Sequence, residues 1–115
     1  MQVWEVPAVI NQPDISLLRW TVVRFKHEAL QADFVFGWDA VNSCGRVSSV
    51  IAAKDPGSAR LQTRTGRTYR LLGPAGNDGD GQYVFRQKYA ELIALCEFSD
   101  VSTEYESLAI PCTLI

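Results

Sequence analysis

The best-marked chemistry in this chain is that of arginine. Arg60, Arg64, Arg67 and Arg70 fall within one short stretch, residues 59–72 (ARLQTRTGRTYRLL), and Arg46 stands a little upstream. A guanidinium is a planar, permanently charged fork that matches a carboxylate or a phosphate two-pronged, so arginines on one face predict recognition of an anionic partner. Nucleophilic catalysis would instead need Cys44 or Cys112 beside the only histidine, His27, with a carboxylate such as Asp39. No local motif joins them, and the chain reads as non-catalytic. A single histidine excludes a histidine-rich metal site, and three widely spaced cysteines, Cys44, Cys96 and Cys112, make neither a zinc knuckle nor a disulfide framework. They read as small buried apolar residues. Residues 73–81, GPAGNDGDG, lack the lysine and hydroxyl residue of a P-loop, the glycine spacing of a dinucleotide fingerprint and the closing glutamate of a calcium loop. They read as a connection, and no cofactor is expected.

The arginines need a hairpin to position them. A two-residue turn at Thr65-Gly66 would set Leu61 opposite Arg70 and Gln62 opposite Tyr69, apolar against polar in both pairs. A three-residue loop, Arg64-Thr65-Gly66, sets Leu61 opposite Tyr69 and Ala59 opposite Leu71 on one face, with Arg60 opposite Arg70 and Gln62 opposite Thr68 on the other. The last residue of such a loop takes the left-handed region, which glycine enters without a Cβ penalty, and this explains Gly66. Like charges directly opposite are destabilising, so Arg60 and Arg70 call for an acid nearby: the protein's own carboxylates, a partner's, or phosphate.

Length and charge bound the rest. One domain of 115 residues can bury a core without staples, and 47% hydrophobic with 21% charged residues is ordinary for a folded chain. No apolar run approaches the roughly 20 residues needed to span a bilayer, and no basic region precedes an apolar one at the start. The chain reads as cytoplasmic with no membrane partner. The net charge of −2 conceals a segregation: −2 over residues 1–45, +5 over 46–90 and −5 over 91–115. The acidic C-terminal third, with Glu97, Asp100, Glu104 and Glu106, can fold back on the basic hairpin or meet that of a second copy in a symmetric homodimer.

Strands are expected over residues 19–26 (RWTVVRFK), 33–38 (DFVFGW) and 46–53 (RVSSVIAA), followed by a type II turn at Asp55-Pro56-Gly57 and the two hairpin strands. From residue 82 to 96 the apolar period lengthens to that of a helix, with Phe85, Tyr89, Leu92 and Cys96 in one stripe and Asp80 as N-cap or first-turn acid. Residues 103–106 have capping-box spacing for a short second helix, although Val101, Thr103 and Tyr105 also alternate as a strand would. The apolar tail, residues 108–115, is expected to close the sheet at an edge. The fold class is α+β: a five-stranded antiparallel meander, curled or barrel-like, followed by one helix.

The segments GRVSS (residues 45–49) and TRTGRTYRL (63–71), with Gly73-Pro74 behind them, resemble short uncharacterised bacterial proteins, some from mobile or phage-derived regions. The resemblance covers residues 45–85 and implies an accessory role encoded on mobile DNA, without an activity. The expected function is therefore non-catalytic recognition of a protein partner through Arg46, Arg60, Arg64, Arg67 and Arg70. The alternative is a nucleic-acid-binding module using the same basic sheet face, a reading that the sequence pI near 5.3 weighs against.

Overall fold

The computed structural model describes residues 14–56 and 59–110. Seven strands form one mixed sheet: β1 (Asp14–His27), β2 (Leu30–Asp39), β3 (Cys44–Val47), β4 (Ile51–Asp55), β5 (Arg60–Thr63), β6 (Thr68–Leu72) and β7 (Glu97–Asp100). Two short helices, α1 (Gly79–Lys88) and α2 (Ala90–Leu95), precede β7, and a 3-10 helix, η1 (Ser102–Leu108), follows it. The sheet order is β3-β2-β1-β6-β5-β4, with β7 added to β1.

The α+β class holds, and the five-stranded antiparallel meander is corrected. The expected third strand divides into β3 and β4 because the chain turns at Ser48: its Oγ accepts from the Val35 amide (3.0 Å), and its own amide donates to the Val35 carbonyl (2.8 Å). β1 pairs with β6 in parallel, from Asp14↔Thr68 to Leu18↔Leu72, and with β7 antiparallel further along the same edge. β3 and β4, at opposite ends of the sheet order, are joined by residues 48–50 alone, a span of roughly 10–13 Å. The sheet must therefore curl strongly, yet β3 and β4 do not pair and it stays open.

A β-bulge in β1 decides which side chains line the curl. Between Leu18↔Trp38 and Thr21↔Phe36 the first strand carries one extra residue, with Arg19 at φ 48°. An inserted residue reverses the alternation, so Ile15 and Leu17 are continued on the same face by Trp20 and Val22. With Val35, Leu61, Tyr69 and Leu71 these form the core inside the curl, closed at one end by Val101, Tyr105 and Leu108. Val23, Phe25, Phe34, Phe36 and Val47 point the other way and meet Phe85 of α1, with Tyr89, Leu92 and Ile93 around it.

The 82–96 helical stripe is broken at Tyr89 (φ −112°, ψ 29°), which ends α1 and begins α2. The N-cap is Asp78, whose Oδ2 accepts from the Gly81 amide at 2.9 Å, and Asp80 takes the other of its two expected roles as the first-turn acid. The Asp78 carboxylate also takes Arg19 Nε (3.0 Å) and Nη2 (2.8 Å), and Trp20 Nε1 donates to the Gly73 carbonyl (3.0 Å). The glycine-rich connection is thus sewn to the bulge of β1 through the Asp78 carboxylate and the Gly73 carbonyl. Residues 103–106 lie within η1, so the helical alternative is the one adopted. Ile110 makes an isolated parallel bridge to Leu72 of β6, a strand inside the sheet order, so the described part of the tail meets the end of an interior strand rather than an edge. Residues 111–115, Cys112 among them, and Gly57 of the expected type II turn lie outside the described residues.

The hairpin has its expected register, with Leu61↔Tyr69 and Gln62↔Thr68 paired. The Thr63 amide donates to the Arg67 carbonyl across the three-residue loop, and Gly66 has φ +93°. A Cβ at Gly66 would meet no atom within 4 Å, so any penalty there is conformational rather than steric. Gly66→Val is expected to lower the unfolding free energy by about 1–3 kcal/mol, read by urea denaturation. An unchanged midpoint would contradict the strained geometry of the loop.

Candidate functional site

The open seam of the curled sheet leaves a cleft of about 470 Å³ between β3, the tip of the β5–β6 hairpin and α1. Arg46, Arg67 and Lys88 line it, together with Ser49, Thr65 and Tyr69, and among the described residues no carboxylate or histidine does. Each cation arrives on a different element. Arg46 pairs across the sheet with Gly37, which has no side chain to occupy the space the arginine enters. Arg67 follows Gly66 out of the hairpin loop, and Lys88 stands on α1 one turn beyond Val84, which also faces the cleft.

Arg46 is only 8% exposed and Asp39 only 1%. Arg46 Nε donates to Asp39 Oδ2 at 3.0 Å, and the carboxylate also accepts from the Val41 and Asn42 amides (3.1 Å each) and from Asn42 Nδ2 (2.7 Å). Burial would raise the Asp39 carboxyl, but the Asn42 hydrogen bonds and the Arg46 charge outweigh it and hold it below the ordinary carboxylate range. The Arg46 and Arg67 charges both act on Tyr69 and favour its ionised form. Burial nonetheless dominates and pushes the Tyr69 phenol up; it also lifts Tyr89, to about 12, whose hydroxyl donates to the Ser48 carbonyl at 2.7 Å. Both phenols stay neutral, so the wall offers hydrogen bonds and positive charge.

The five expected arginines do not share one surface. Arg46 and Arg67 meet at the cleft, and Arg64 is exposed in the loop that also supplies Thr65. Arg60 and Arg70 stand on the hairpin face opposite Leu61 and Tyr69. The acid anticipated beside Arg60 is Asp14, at 3.7 Å, which also accepts a hydrogen bond from Thr68. Lys88 was not singled out by the sequence reading; its spacing from Val84 on one helix face was the available signal.

The acidic C-terminal third meets β1 rather than the hairpin. Arg24 forks onto Asp33 (Nε 2.7 Å, Nη2 2.9 Å) and onto Glu104 (Nη2 2.9 Å, Nη1 3.1 Å), and the Tyr105 hydroxyl donates to Asp33 at 2.5 Å. Lys54 Nζ lies over the Tyr105 ring at 4.1 Å. This network holds η1 against the end of the curl. Burial favours a higher Asp33 value, but Arg24 and Tyr105 overcome it and keep the carboxyl ionised. The register Arg24↔Asp33 follows from a tight turn after His27, the signal by which the pair could have been found in the sequence.

Cys44 and His27 cannot act together. Cys44 pairs with Asp39 at one end of β2 and His27 with Leu30 at the other, and nine residues of strand separate those positions by roughly 30 Å. Among the described residues no group of three or more His, Cys, Asp or Glu side chains could hold a metal ion, and no helix is long and apolar enough to cross a membrane.

The fold and the cleft define an α+β protein built on an open, curled mixed sheet with a cationic seam. No protein-family model, curated protein or solved structure matches the chain.

Proposed function

We propose that this is a non-catalytic binding protein, accessory in role, that recognises an acidic protein partner through the cationic cleft beside its arginine-bearing hairpin. The observation that carries this reading is the lining of the seam: Arg46, Arg67 and Lys88 stand on its wall, and among the described residues no carboxylate does. A guanidinium pair in a partly desolvated cleft binds a carboxylate more strongly than it would on an open surface. Val47, Val84 and the Tyr69 ring supply apolar contact beside the charge, the combination that anchors protein interfaces.

The aromatics weigh against nucleic acid. Stacking platforms must be exposed beside the basic groups, whereas Tyr69 and Trp20 are buried and Trp38 lies about 5.9 Å under the Arg19 guanidinium. Fluorescence anisotropy with labelled acidic peptides, single- and double-stranded DNA, and RNA, at low and physiological salt, separates the readings. Acidic peptides are expected to bind, and Arg67→Gln with Lys88→Gln to weaken them by about tenfold or more. Micromolar nucleic-acid binding that falls steeply with salt would replace this proposal.

A further inference from the structure

The cleft combines two features that a charged patch alone would lack. Among the described residues β3 is the last strand on its side of the sheet, paired with β2 and with no other strand, and every one of its residues, Cys44–Val47, lines the cleft. Its outer edge therefore opens into the cavity with backbone groups able to accept one more strand. Where that edge runs past Arg46, Arg67 and Tyr69 line the same cavity.

Resting on the reading of the cleft as a protein-binding site, we infer that its ligand is the carboxyl-terminal end of a partner chain. That end adds as a strand along the free edge of β3, with its terminal carboxylate held by Arg46 and Arg67 and an apolar last side chain against Val47, Val84 and Tyr69. Strand addition supplies sequence-independent affinity through main-chain hydrogen bonds, and the pocket beside it supplies selectivity. Size and access both favour a terminus. About 470 Å³ holds a bulky terminal residue and part of its neighbour rather than a folded surface. Arg46, 8% exposed, is reached only by a group that ends there, whereas an internal segment must carry backbone past it in both directions. Lys88, whose ammonium rests 5.5 Å from the Tyr89 ring, adds positive charge from the helix side.

The test is fluorescence anisotropy with a labelled peptide library randomised at its last positions, each peptide made with a free carboxylate and as the amide, beside acidic peptides blocked at both ends. Free-ended peptides with an apolar last residue are expected to bind, with amidation weakening them by about tenfold or more and Arg67→Met abolishing the difference. Hydrogen exchange at the amides of residues 44–47 is expected to slow on saturation. Equal binding of free and amidated peptides, or unaltered exchange in β3, would overturn the inference. Tight binding of the blocked acidic peptides alone would overturn it while leaving the protein-binding function in place. Failure of every peptide to bind would remove both.

Discussion

Alanine at Gly45 is expected to unseat helix α1 and to abolish the cleft with it. A Cβ at this position would lie 2.3 Å from the backbone C and O of Asp80 and 2.6 Å from the Gly81 amide nitrogen. These are main-chain atoms, so no rotamer change relieves the contact; either the helix start or β3 must move. Gly81 is pressed in turn against the backbone of Gly37, where its own Cβ would stand 2.7 Å from the carbonyl oxygen. Helix and sheet therefore meet backbone to backbone. Overpacking of this kind costs about 3 kcal/mol or more, a large part of the roughly 5–15 kcal/mol that a small domain has. Gly79→Ala is the control: nothing lies within 4 Å of a Cβ there, and its effect is expected to stay within about 0.5 kcal/mol. Urea denaturation of both variants checks the pair, and equal midpoints would show that the close approach is not what seats α1.

Asp39→Ala is expected to cost about 3–5 kcal/mol, because it removes a buried carboxylate and leaves the Arg46 guanidinium without its counter-charge. The Val41 and Asn42 amides lose their acceptor at the same time, which loosens the turn between β2 and β3. Its pH dependence has a definite sign. The folded-state value of Asp39 is depressed, so its stabilisation is fully present above the unfolded value of about 3.9 and is lost as pH falls through the lower folded value. The stability gap between wild type and variant should narrow only below about pH 3.9, and a gap independent of pH there would sink the assignment. Replacing Asp39 and Arg46 together with apolar residues should cost less than Asp39→Ala alone, since no charge is then left buried.

These two sites show how the cleft is held: Gly45 lets α1 approach, and Asp39 orients Arg46 toward the opening. Neither role is written locally. No local pattern marks Gly45 as the seat of a helix, and Asp39 enters the sequence only as a candidate carboxylate beside a Cys–His pair.

What the sequence by itself determined was whatever depends on neighbours along the chain. The hairpin of residues 60–72 has its register, loop length and Gly66 conformation set by alternation and turn chemistry, all within a few residues. The helical period of residues 82–96 was legible for the same reason, whereas residues 103–106 carried both a capping-box spacing and a strand-like alternation, between which the tertiary structure decided. Tertiary structure alone decided the rest. The parallel pairing of β1 with β6 joins residues 54 apart, Asp14 with Thr68, and no local pattern encodes it. The division of residues 46–53 depends on Ser48 finding Val35 on another strand, and the break at Tyr89 on that side chain reaching Ser48. The arginines were visible in sequence, but their separation was not: a curled sheet places Arg46 and Arg67 inside one seam with Lys88, and sends Arg60 to Asp14 on the other face. Charge is a property of residues, whereas a site is a property of the distances between them, and those distances are set by long-range pairing.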